Sequence, residues 1–152
     1  MNRLLNYAYE AMALLNESSH AREAEEILRR HGFRNIGSGC ESEVYEGDRF
    51  AGAVIKIVSS PHYGVNNFYD RKKDADEYPD FFACFEFFFH NGFVVMIQEM
   101  AEEVISYDEE CYDWEVEEAS DFLKSIGARD FDACGNMGRL EGRVVAIDWI
   151  SS

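Results

Sequence analysis

The sequence predicts an α+β fold: two N-terminal helices, a five-stranded antiparallel sheet, and a smaller part built from one main helix, a loop and short strands. Three observations carry this. Apolar residues recur at helical spacing as far as His31, then change to the period of strands at Phe33. An Asn91-Gly92 pair between two apolar runs marks a hairpin, because these residues accept the positive φ of a type I′ turn. Helical spacing then returns between Asp108 and Ile126.

In order, Asn2 to Leu15 places Leu4, Leu5, Ala8, Ala11, Met12 and Leu15 on a helix. Ser18 or Ser19 is expected to cap a second helix, on which Ala24, Ile27, Leu28 and His31 share a face. Arg29, Arg30 and His31 suit its C-terminal end, and Gly32 can stop it. Phe33 to Ile36 runs into a glycine-bearing loop, and Val44 to Glu46 leads to a Gly47-Asp48 turn. Ala51 to Val58 is a β-branched strand. This β–loop–β–turn–β meander argues against the strand–loop–helix unit of Walker and Rossmann phosphate sites. The polar stretch Ser59 to Asp80 is expected to hold a loop with one short helix at most. Phe81 to Phe89 and Phe93 to Met100 are the hairpin arms, their phenylalanines serving as core. Asp108 to Ile126 is acid-rich in its first half, as suits a helix N-terminus, and Gly127 ends it. Ala128 to Leu140 reads as a loop, and a Glu141-Gly142 turn leads to a strand, Arg143 to Ile147, ending in Asp148.

With 152 residues, 47% of them apolar, the chain can bury a real core, and a single domain is expected. Its parts would be a helical extension over 1–32, a sheet over 33–103 and a smaller part over 104–152. No run approaches the ~18 apolar residues of a membrane span, and no signal pattern opens the chain, so a soluble, cytoplasmic protein is expected. Four cysteines lie far apart and read as unlinked thiols. The net charge of −16, from 30 acidic against 14 basic side chains, disfavours direct contact with nucleic acid or anionic membrane. Between Gln98 and Asp121 there are eleven Asp or Glu and no Lys, Arg or His, so one flank should be acidic. Such a flank could mimic a nucleic-acid backbone or complement a basic partner protein.

Four polar features follow one another: the glycine loop Gly37-Ser38-Gly39, Lys56 within Ala53-Val54-Ile55-Lys56-Ile57, an Asp/Asn-bearing loop after a helix, and Asp148 at a strand end. Phosphoryl transfer uses such a set. Loop backbone covers phosphates, a lysine neutralises them, an Asp orients the acceptor, and Asn with a second Asp holds divalent cations.

On these residues the chain resembles the protein-kinase-like fold. Gly37 to Tyr45 is similar to a kinase glycine-rich loop with its third glycine replaced by Ser42, and Ala53 to Lys56 resembles V-A-I-K. The resemblance implies a kinase-like N-lobe and a minimal C-lobe, with ATP and Mg²⁺ as cofactors. Gly37, Ser38, Gly39, Lys56, Glu99 and Met100 would contact nucleotide, with Gln98 near the gatekeeper. Asp130 or Asp132 would be the catalytic base, and Asn136 and Asp148 the metal ligands. The nearest likeness is to short, divergent kinase-like proteins of tailed bacteriophages, which also carry a helical N-terminal extension and a Gly-Asn-x-Gly loop ending, here Gly135-Asn136-Met137-Gly138. That implies a serine/threonine-type phosphotransferase, or a pseudokinase-like module docking on a host protein with a basic surface. Three departures stand out. Asp130 lies six residues before Asn136, one more than in kinases, and no Glu clearly partners Lys56 (Asp70, Asp74, Asp76 and Glu77 are candidates). The sequence given stops four residues after Asp148, with no platform for a protein substrate.

Overall fold

A computed structural model describes residues 2–38, 42–59, 64–105, 113–131 and 135–151. The chain divides into two units: Met1–Val65 with Phe85–Glu99, and Asn66–Cys84 with Met100–Ser152.

The first unit holds helices α1 (Arg3–Leu14) and α2 (Ala21–Arg30) and strands β1 (Arg34–Ser38), β2 (Ser42–Glu46), β3 (Ala53–Val58), β4 (Phe85–His90) and β5 (Phe93–Glu99). The strands form the expected five-stranded antiparallel sheet, in the order β1-β2-β3-β5-β4. Asn2 caps α1, its side-chain oxygen accepting from the N–H groups of Leu4 and Leu5. Leu4, Ala8, Ala11 and Leu15 are buried, and α1 packs on β4 and β5 while α2 packs on β3. The cap of α2 differs from expectation. His20, not Ser18 or Ser19, accepts from the Glu23 N–H through its ring. The serines are engaged elsewhere: Ser18 closes back on the Leu15 carbonyl at 2.6 Å, and Ser19 donates to Glu23. The Ser18 carbonyl also meets the His90 ring and the Asn91 amide, each at 2.8 Å. This ties the α1–α2 corner to the β4–β5 hairpin. Asn91 and Gly92 both have positive φ, +45° and +85°, as the type I′ turn requires.

The register assigns every residue of the central strands to a face, since side chains alternate. Tyr45, Ile55, Ile97 and Glu86 lie in one cross-strand row. The Tyr45 hydroxyl donates to Glu25 of α2 at 2.7 Å, and the Asn2 amide donates to Glu86. This is the helix-covered face. Val44, Lys56, Met96 and Phe87 form the next row, on the opposite face.

The second unit holds nearly all of α3 (Gly64–Glu77), α4 (Trp114–Ser125), and strands β6 (Glu103–Val104), β7 (Met137–Leu140) and β8 (Arg143–Ala146), an antiparallel sheet ordered β6-β7-β8. Two expectations are corrected. The stretch 59–80 is not mainly loop: α3 spans fourteen residues. Its inward stripe is Phe68, Arg71 and Ala75, so a buried arginine stands where an apolar residue would have shown the period. Nor is 128–140 all loop, since Met137–Leu140 is a strand. Gly138 suits the close strand approach there, because a Cβ would lie 2.7 Å from that of Ala101 and 2.9 Å from the Glu103 carbonyl. Glu141 and Gly142, both at positive φ, make the turn into β8. Helix α4 starts at its cap Asp113, whose side chain accepts from the Glu115 N–H, and Gly127 follows its end at φ +89°. Residues 106–112, where the helix was expected to begin, lie outside the described residues.

Candidate functional site

In the first unit, Gly37 stands opposite Val44, which stands opposite Lys56. Gly37 and Lys56 therefore share one cross-strand row, two strands or ~9.5 Å apart. A bulge between Asn35 and Gly37 sets this alignment. Lys56 is half-buried between the fully buried Ile55 and Ile57, which face the helices. One residue pair along β3, Val54 faces the buried Gln98 on the Lys56 side of the sheet.

Ser38 turns the other way. It pairs with Glu43, and its hydroxyl donates to the Glu43 carboxylate at 2.5 Å, while the Asn35 amide donates to the same oxygen at 2.9 Å. These two bonds, and then the charge of Arg29, hold the Glu43 carboxyl below its ordinary value. The hydroxyl of Ser38 braces the loop base rather than facing the Lys56 row. Gly39 lies outside the described residues. Glu99 ends β5 opposite Ala53. A surface cleft of about 530 Å³ opens on the helix-covered side, between α2 (Arg22, Glu25, Arg29) and the strand residues Asn35, Ser38 and Glu43. Its walls mix both charges, and it is not on the Lys56 face.

In the second unit Met100 and Asn136 are both half-buried. The Asn136 side-chain amide donates to the Asp130 backbone carbonyl at 2.7 Å, and the Asn136 backbone carbonyl accepts from the N–H groups of Ile147 and Asp148 at 2.9 and 3.2 Å. Asp130 has φ +60°, a left-handed turn position that Asp tolerates. Arg129 exchanges two backbone bonds with Ile150. Asn136 is thus bonded to the backbones of both Asp130 and Asp148. Asp132 lies outside the described residues.

The feature that sequence reasoning missed is Arg71. Its guanidinium donates to Asp148 Oδ1 at 3.1 Å and lies 5.4 Å from the Phe68 ring and 4.8 Å from the Trp149 ring. Arg71 is buried while Asp148 is half-exposed. Trp149 is held in turn by an indole N–H bond to Asp74 at 3.3 Å and by contact with Phe82. The helical spacing of Phe68, Arg71 and Ala75 was the available signal. Of the four acidic residues considered for Lys56, Asp74 accepts from Trp149 and Asp76 from Lys72.

Mg²⁺ is a poor fit to this arrangement. A divalent cation at Asp148 would compete with the guanidinium for its carboxylate. Among the described residues no group of three His, Cys, Asp or Glu could hold a metal ion.

The acidic flank is partly neutralised. Arg139 of β7 pairs with Glu115 at 2.9 Å and with Asp113, and the Glu115 bond raises the arginine's pKa. The solvent face of α4 carries the exposed Trp114 with Glu117, Glu118 and Asp121. No family model and no curated protein matches this chain.

Proposed function

We propose that the chain is a kinase-like module of the pseudokinase type, which receives a nucleotide against the Gly37–Lys56 row and acts by docking on a protein with a basic surface. The carrying observation is that row: a glycine of β1 and a lysine of β3 on the face of the sheet opposite the one that α1 and α2 cover. Further support comes from the order of elements. Lys56 lies on the third strand, a helix and a hairpin follow, and then a loop joining Asp130 to Asn136 and a hairpin ending at Asp148. The likeness to short kinase-like phage proteins, acting in a host cytoplasm, belongs to the same reading.

The Arg71–Asp148 pair favours the pseudokinase form over an active serine/threonine phosphotransferase, because the expected metal carboxylate already serves a buried guanidinium. The α4 face supports docking, since Trp114 supplies an apolar anchor beside three carboxylates. That mixture fits a protein partner better than a nucleic-acid-mimicking inhibitor, whose charge would be continuous, and Arg139 has already engaged Asp113 and Glu115.

Thermal shift with ATP tests the nucleotide. At a hundredfold excess over Kd, ligand should stabilise the wild type by ~2.7 kcal/mol, and Lys56→Ala should remove most of that gain. No shift at millimolar ATP, or an equal shift in Lys56→Ala, would overturn the reading.

A further inference from the structure

We infer that the cleft between α2 and the β1–β2 ladder is a binding site for the phosphomonoester of a small polyol. It lies within the first unit, on the helix-covered face, and stands independently of the Gly37–Lys56 row.

Three carboxylates line this cleft, and each is already engaged. Glu43 accepts from Ser38 and Asn35, Glu25 accepts from the Tyr45 hydroxyl at 2.7 Å, and Glu26 pairs with Arg30 at 3.8 Å. Arg22 and Arg29 line the same cleft, and among the described residues neither pairs with a carboxylate. Arg29 acts on Glu43 only through longer-range charge, the least of the influences on that carboxyl. In a chain with 30 acidic and 14 basic side chains, arginines would be expected to find acids first. Here the acids have donors and the guanidiniums still have N–H groups to give. Such a lining selects a ligand rich in acceptors.

The placement of the two arginines narrows the ligand. They stand two turns apart on one face of α2, ~10.5 Å along its axis. The Arg29 Cζ lies over the buried Tyr45 ring, 5.7 Å from its centre. A guanidinium laid on a ring keeps its in-plane fork for an anion. Tyr45 is held by its bond to Glu25, and burial, then that bond, raises its pKa, so it remains a neutral donor. One bidentate fork takes both oxygens of a carboxylate, whereas the three terminal oxygens of a phosphomonoester leave one for the second arginine. The cleft, at about 530 Å³, is the size of a small-molecule site. None of its lining side chains is apolar, so a nucleobase would find no stacking surface there. Hydroxyls would find partners in Asn35, Ser38 and the carboxylates, and those carboxylates would repel a triphosphate more than a monoester.

The test is calorimetry on the full chain with glycerol phosphate, and with glycerol, glycerate and inorganic phosphate as comparisons. Nuclear magnetic resonance locates the site through the Asn35 side-chain amide and the arginine Nε–H groups. Glycerol phosphate should saturate at millimolar concentration, shift those signals, and bind about tenfold tighter than any of the other three. Arg22→Gln and Arg29→Gln should each weaken it by about tenfold. Inorganic phosphate binding as tightly as the ester would mean an adventitious ion only and would overturn the inference. So would glycerate binding equally well, an absence of saturation, or affinity unchanged in both variants. Circular dichroism checks that the variants fold, and the comparison of four ligands on the wild type decides the matter without them. Failure to bind ATP would overturn the nucleotide reading above and leave this site untouched.

Discussion

Glu43 shows how a single side chain can fix a loop. Its carboxylate accepts from Ser38 and Asn35 at once, bracing the two ends of the β1–β2 turn on the helix-covered face. The carboxyl is held below its ordinary value mainly by the Ser38 bond, so it binds fewer protons in the folded state than in the unfolded chain. Its stabilising contribution is therefore complete above the usual carboxylate range and is lost as the pH falls through the lowered value. Solvent screens this site, and the contribution should stay below about 1 kcal/mol. Glu43→Gln should thus be less stable than the wild type at pH 7, with the difference closing at pH 3. Urea denaturation at the two pH values measures it, and a gap that widens on acidification would contradict the assignment. Gly37 and Lys56 could be picked from the sequence because glycine and a strand lysine are rare in an apolar β-branched run. Ser38 could not be placed, because the Asn35–Gly37 bulge decides which way it points.

At the scale of elements, legibility followed the sharpness of the period. The β4–β5 hairpin was clear because Asn91-Gly92 permits few alternatives, and β3 because five of its six residues are buried and apolar. Helix α3 was hidden: its buried stripe contains Arg71, and the polar residues around it look like a loop until the partners Asp148 and Trp149 are known. Strand β7 was hidden by its length of four residues and by Gly138, whose need is set by Ala101 and Glu103 across the pair. Helix α4 was legible in its body, and its acidic start has a specific use. One oxygen of Asp113 caps the helix and the other meets Arg139, which also takes Glu115. Asp113→Ala removes the cap and one arm of this bridge together. A cap is worth ~1 kcal/mol and a partly exposed pair up to ~1 kcal/mol, so a loss of about 1–2 kcal/mol is expected. Asp113→Asn, which can still cap, should recover most of it. Equal losses in the two variants would place the energy in the ion pair instead.

For the molecule as a whole, the net charge of −16 sets repulsion between carboxylates against a few placed attractions. The attractions are short: Arg139 with Asp113 and Glu115, Arg71 with Asp148, and Lys72 with Asp76 at 2.8 Å. The repulsions are many and longer in range, and these are what salt screens first. Raising ionic strength from about 0.01 M to about 0.15 M shortens the Debye length from ~30 Å to ~8 Å, which removes distant repulsion and weakens a short, part-buried contact such as Arg71–Asp148 much less. The melting temperature should therefore rise with added NaCl. The docking proposed for Glu117, Glu118 and Asp121 on a basic partner should weaken over the same range, because that attraction would act between exposed surfaces. The two trends have opposite signs in one titration, so a nonspecific effect of salt on the fold cannot imitate loss of the partner. A melting temperature that falls with salt would mean that the exposed ion pairs outweigh the self-repulsion, and the acidic flank would then be a stabilising network rather than a docking surface.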